Sequence, residues 1–117
     1  GFHDSTPTSP LSALTARVEG LDLSGLQPGA PVPQPGTVAE FSIVLSNPAP
    51  HDIRLDPCPT YTQGFGPGLM QVYRLNCDSI RLIPAHGEVR YQMRLRLTPG
   101  DLYMGFGWHL LGGPFAN

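Results

Sequence analysis

From Val89 to Leu97 the chain alternates without a break: Val89, Tyr91, Met93, Leu95 and Leu97 are apolar, and Arg90, Gln92, Arg94 and Arg96 stand between them. A helix would scatter those apolar groups around its circumference, whereas a strand points successive side chains to opposite faces and gathers them on one. Such a strand is stable only when its apolar face is covered by a second layer. This one segment therefore commits the chain to a layered β fold.

The same period of two recurs along the sequence. Leu14, Ala16 and Val18 alternate with Thr15, Arg17 and Glu19, and Ala39, Phe41, Ile43 and Leu45 alternate with Glu40, Ser42, Val44 and Ser46. Tyr73, Leu75 and Cys77 repeat it, and Leu102, Met104, Phe106, Trp108 and Leu110 form one face of a last strand. Ile53 with Leu55 and Ile80 with Leu82 are shorter apolar pieces, and no stretch of helical length has a 3.6 period. Between these runs lie turn signals. Asn47-Pro48 stops the second strand, and residues 47–51 are expected to close a hairpin onto Ile53 and Leu55. Pro84-Ala85-His86-Gly87 reads as a tight turn with Gly87 at positive φ, and Thr98-Pro99-Gly100-Asp101 as another. Residues 23–37 and 56–70 are rich in Pro and Gly and are expected to be loops, since proline lacks the N–H that strand pairing requires.

About seven short strands at 8 to 12 residue spacing predict an all-β chain, an immunoglobulin-like antiparallel β-sandwich, with an open barrel as the rival arrangement. A length of 117 residues suits one core. Residues 1–12 mix Ser, Thr and Pro and read as a flexible tether or cloning remnant, leaving 13–117 as a single domain. With 14% charged residues and a net charge of -2, the chain lacks the basic footprint of a nucleic-acid binder. It contains neither a membrane span nor a signal peptide, so an exported form is expected to have lost its targeting segment or to carry an anchor upstream.

Cys58 and Cys77 are the two cysteines. An even pair in a small all-β chain reads as a disulfide, the alternative being two buried thiols. Neither has a second Cys or His at zinc-ligand spacing, and no Cys-x-x-Cys is present. His3, His51, His86 and His109 are scattered, and no nucleophile motif accompanies them. Asp52, Asp56, Asp78 and Asp101 sit at turns, where bonding to their own backbone explains them. Met93 and Met104 fall on predicted core faces rather than in a metal site. The expectation is no enzyme, no metal and no cofactor. Candidate ligand contacts are Tyr61, Phe65 and Tyr73, aromatic residues in or beside a 56–70 loop pinned by the disulfide, which either meet a sugar or a protein or fold back over the open end of the core. The stripe of Arg90, Arg94 and Arg96 is read as a solvated sheet face before an anionic-polymer site.

The order Phe41-Ser-Ile-Val-Leu-Ser-Asn-Pro48, Leu55-Asp-Pro-Cys-Pro-Thr-Tyr61, Tyr73-Arg-Leu-Asn-Cys77 and Ile83-Pro84 with Val89-Arg-Tyr-Gln-Met93 resembles actinobacterial extracytoplasmic immunoglobulin-like domains of unknown function. The resemblance spans roughly residues 38–110 and implies a lipid or membrane anchor, a Ser/Thr/Pro tether and one disulfide, with no catalytic residues. A second likeness is to bacterial proteinase inhibitors built on similar sandwiches, which implies use of an exposed loop, here 56–70. The resulting expectation is a non-catalytic interaction or spacer module, secreted or at the cell surface, with a protein or cell-wall glycan as partner. The alternatives are a protease inhibitor or carbohydrate-binding module acting through that loop, and third an enzyme with an unrecognised site.

Overall fold

A computed structural model describes residues 10–21, 38–65, 71–96 and 106–116. The predicted 23–37 loop, the turn at 98–101 and residues 1–9 of the expected tether lie outside them. Nine strands run through the described residues: β1 (Thr15–Glu19), β2 (Val38–Ser46), β3 (Ile53–Arg54), β4 (Thr60–Phe65), β5 (Gln71–Arg74), β6 (Leu82–Ile83), β7 (Glu88–Arg96), β8 (Phe106–Leu110) and β9 (Phe115–Ala116). Every pairing is antiparallel. One sheet has the order β1-β2-β7, a second β5-β4-β8-β9, and β3 with β6 forms a short ribbon. The long-range pairings β2 with β7 and β4 with β8 are the crossed connections of an immunoglobulin-like sandwich.

The core is what the alternation demanded. Phe41, Ile43 and Leu45 of β2 and Tyr91, Met93 and Leu95 of β7 are buried against Tyr61 of β4 and Phe106, Trp108 and Leu110 of β8. The Phe41 and Phe106 rings meet edge to face across the two sheets, centroids 5.2 Å apart and planes at 79°. Aromatic pairs of this geometry add about 0.5–1.5 kcal/mol beyond the area they bury. Gln63 reaches from β4 to donate its Nε2–H to the Arg94 carbonyl of β7, at 2.8 Å, and β1 lies against β9 at the other side. The two layers are thus joined at both margins.

Four local expectations change. The 56–70 segment is not one loop: Thr60–Phe65 is β4, paired on both sides by β5 and β8. Its inward residues are Tyr61 and Gln63, and the polar Gln63 breaks the apolar alternation that would have marked the strand. Ile53 does not fold back onto β2, because β1 and β7 occupy both edges of β2; β3 pairs with β6 instead. In the Pro84–Gly87 turn the residue at positive φ is His86, at 56°, not Gly87. Gly87 meets a different demand: a Cβ there would lie 3.0 Å from Pro84 Cγ and 3.2 Å from its carbonyl oxygen. Finally, Pro10–Ala13 forms a 3-10 turn whose Leu11 packs against the core, so chain before Leu14 contributes to the fold.

Cys58 and Cys77 form a disulfide, with Cα atoms 6.0 Å apart. Cys58 lies just before β4 and Cys77 just after β5, so the bridge clamps one end of the β4–β5 pair within a single sheet. The inter-sheet bridge of antibody domains is placed differently.

Candidate functional site

The two outer faces of the sandwich differ in chemistry. On the β1-β2-β7 sheet most of the charged outward residues are paired: Arg17 bonds Glu19 at 2.7 Å and Glu88 at 3.2 Å, Arg90 bonds Glu19 at 2.6 Å, and Arg94 lies 3.8 Å from Glu40. Arg17 holds the Glu19 and Glu88 carboxyls below the usual carboxylate range. Val44, the apolar residue in the middle of this face, stands in register between Arg17 and Arg90 and is fully buried. Long arginine stems cover apolar surface in this way while their heads stay in water. Of the predicted stripe of Arg90, Arg94 and Arg96, the first two face glutamates of the same sheet while Arg96 stands opposite Val38, so its cationic character toward an anionic polymer is reduced but not removed.

The β5-β4-β8-β9 sheet is the opposite case. Register places Val72, Thr62, His109 and Phe115 side by side in one row across its outer face. Val72 is 63% exposed and Phe115 is 73% exposed, while the Phe115 ring lies flat on the His109 imidazole, centroids 3.7 Å apart and planes at 7°. One face of the phenyl ring is thus supported and the other is open to solvent. All four large hydrophobic residues exposed among the described residues, Val72, Tyr73, Leu111 and Phe115, belong to this sheet or to the turn after β8.

Behind this face the expected contact residues separate. Tyr61 and Tyr73 come together, ring centroids 5.5 Å apart at 28°, and Tyr61 stacks in turn on buried Trp108 at 5.3 Å and 24°. Tyr61 is 9% exposed and belongs to the core, whereas Tyr73, 37% exposed, is the accessible end of the three-ring run, its hydroxyl donating to Gln71 Oε1 at 2.8 Å. Burial raises the Tyr61 phenol above its ordinary value. Phe65 closes β4 opposite Phe106 in register. Sequence reasoning missed Phe115. Leu111-Gly112-Gly113-Pro114 ahead of it is a hairpin signal, and the structure closes it with Gly113 N–H donating to Leu110 O at 2.8 Å and Leu110 N–H to Pro114 O at 3.0 Å.

The described residues form two depressions at the end of the sandwich where β1 begins and β2 ends. One, about 370 Å³, lies beside the disulfide and is lined by Leu11, Arg54, Asp56, Pro57, Pro59 and Leu111 among others. The other, about 390 Å³, is lined by Ser46, Asn47, Pro48, His86, Gly87 and Glu88. Beneath it Asn47 is buried and bonds two chain segments, its Nδ2 donating to the carbonyls of His51, Ile83 and Pro84 at 2.9, 3.0 and 3.2 Å. Of the histidines among the described residues, His51 lies on an exposed turn, His86 in the β6–β7 turn and His109 on β8, while His3 lies outside them. Asp52 caps a turn by accepting the Ala85 N–H at 3.0 Å. Among the described residues no group of three or more His, Cys, Asp or Glu is set to hold a metal ion. No helix there is long and apolar enough to cross a membrane.

No protein-family model matches the chain, and no curated protein or solved structure matches it either.

Proposed function

We propose that this domain is a non-catalytic interaction module of an exported or envelope-bound bacterial protein, and that it engages its partner through the outer face of the β5-β4-β8-β9 sheet. The observation that carries the reading is the asymmetry of the two faces. One is closed largely by its own ion pairs; the other presents Val72 and Phe115, two of the four large hydrophobic residues exposed among the described ones. Large exposed apolar side chains set among polar ones on one sheet face form a surface suited to contact with a partner. The disulfide supports an oxidising compartment, and the resemblance to actinobacterial extracytoplasmic domains supports the envelope.

A cell-wall glycan is the preferred partner. A sugar ring offers C–H groups to an aromatic face, and Phe115 holds such a face open and braced by His109. Thr62, next in the row, places a hydroxyl within the same patch. The test is binding of the domain to isolated wall polysaccharide and to a glycan array, with Phe115→Ala and Thr62→Arg as site variants and Arg94→Ala as the control on the opposite sheet. Affinity is expected to fall at least about tenfold in the first two variants and to stay within about twofold in the third. Binding that survives both site substitutions removes this face from the function.

A further inference from the structure

We propose that β5 pairs with β5 of a second copy of this chain, antiparallel about a two-fold axis at Tyr73, so that two four-stranded sheets become one continuous sheet. The proposal goes beyond the partner bound on the face and concerns its edge. Leu75 N–H donates to Pro59 O at 3.0 Å, which makes Pro59 and Leu75 a hydrogen-bonded pair of the β4–β5 ladder. Antiparallel ladders alternate bonded and non-bonded pairs. Continuing the register, Tyr61 with Tyr73 and Gln63 with Gln71 are bonded pairs, and Thr60 with Arg74 and Thr62 with Val72 are not. The backbone N–H and C=O of Val72 and Arg74 therefore point away from β4. No strand among the described residues pairs with that side, and all four residues of β5 are exposed.

Unpaired edges invite strand addition, and proteins block them with charge, proline or brevity. Here β1 carries Arg17 and Glu19, β7 carries Arg90, Arg94 and Arg96 and gives its Arg94 carbonyl to Gln63, and β9 is two residues long behind Pro114. β5 carries one charge, Arg74, and no proline.

The edge is complementary to itself, and this selects a second copy as its occupant. With Tyr73 on the axis, Val72 of each chain faces Arg74 of the other. Both residues present outward backbone groups, so the two pairs exchange N–H···O=C bonds in both directions. No arginine then lies opposite an arginine. Tyr73 faces Tyr73 at the narrow spacing of a non-bonded pair, about 4.5 Å between Cα atoms. The half-exposed ring at the end of the Trp108–Tyr61–Tyr73 run is covered by its own symmetry mate. A four-residue edge buries much less than the roughly 1,200 Å² of a stable interface, so the association is weak and concentration-dependent.

Sedimentation equilibrium of the full chain from ~10 μM to ~1 mM tests this. The mass is expected to rise from 12.6 kDa toward twice that value. Val72→Glu sets a carboxylate opposite Arg74 at both pairs and is expected to tighten the dimer about tenfold, while Val72→Arg opposes like charges and weakens it by a similar factor. Each variant is checked for a native circular-dichroism spectrum and melting temperature. Tyr73→Cys gives an independent readout: oxidation should join two chains through residue 73, identified by peptide mass. A mass that stays monomeric at ~1 mM, dimerisation indifferent to both Val72 charges, or failure of Tyr73→Cys to cross-link overturns the proposal.

Discussion

At Asn47 one buried residue ties the end of β2 to two turns. Its Nδ2 serves carbonyls of the 48–52 turn and of the β6–β7 turn, its Oδ1 accepts the Ala49 N–H at 2.9 Å, and its own N–H bonds Gly87 O at 2.8 Å. Asn47→Asp replaces the donor with an oxygen facing carbonyl oxygens. Urea unfolding is expected to show a loss of about 3 kcal/mol or more, against about 2 kcal/mol for Asn47→Ala. The Asn47-Pro48 dipeptide announced a turn, but nothing local in the sequence shows that the side chain would reach Ile83, 36 positions away. Tyr91 is the contrary case, an inward aromatic read correctly whose hydroxyl is buried with no hydrogen-bond partner among the described residues. Burial pushes its phenol up to about 12, above an ordinary value of 10.0. The folded state therefore keeps a proton that the unfolded chain releases, and stability present below pH 10 is lost as pH rises toward 12. Tyr91→Phe should flatten that alkaline decline and raise stability at neutral pH by about 1 kcal/mol.

Among the elements, β2 and β7 are joined through nine register pairs, and ion pairs link β7 outward to both β1 and β2. Glu19 and Glu88 titrate below the ordinary 4.5 because Arg17 bonds their ionised forms. Their contribution is complete above that value and is lost as pH falls through the lower, folded-state value. The thermal midpoint should therefore drop below about pH 4 more steeply in dilute buffer than in ~0.5 M salt, and a Glu19→Gln, Glu88→Gln double variant should lose the salt-dependent part of that drop. The outward groups are exposed, so the effect is modest. Long elements such as β7 and the end of β8 were legible because nothing interrupted their period of two. β4 was hidden by Gln63, a polar residue at an inward position that makes sense only once the Arg94 carbonyl lies across the core from it. β3 and β6, two residues each, are strands because they find one another, and no local pattern of that length could specify the pairing.

For the whole molecule, the sandwich and the disulfide followed from alternation and a cysteine count, while the exposed face did not. Exposure of Val72 and Phe115 depends on which strands end up at the sheet margins, a property of topology rather than of neighbouring residues. Replacing both cysteines by serine should cost about 3 kcal/mol, from the chain-entropy cost of closing a loop of this size, visible as a lower urea midpoint. Because the bridge clamps the β4–β5 pair, hydrogen exchange in the double serine variant should accelerate there before it does in β2 and β7. The clamp also has a mechanical consequence. Were the chain pulled from its two ends, the 19-position interval between Cys58 and Cys77 would be bypassed by the covalent bridge and would not pay out. The fully stretched domain would be shorter by about 60 Å than its reduced form, and a pulling force would leave the strand that offers its edge to a second copy inside an unstretched covalent loop.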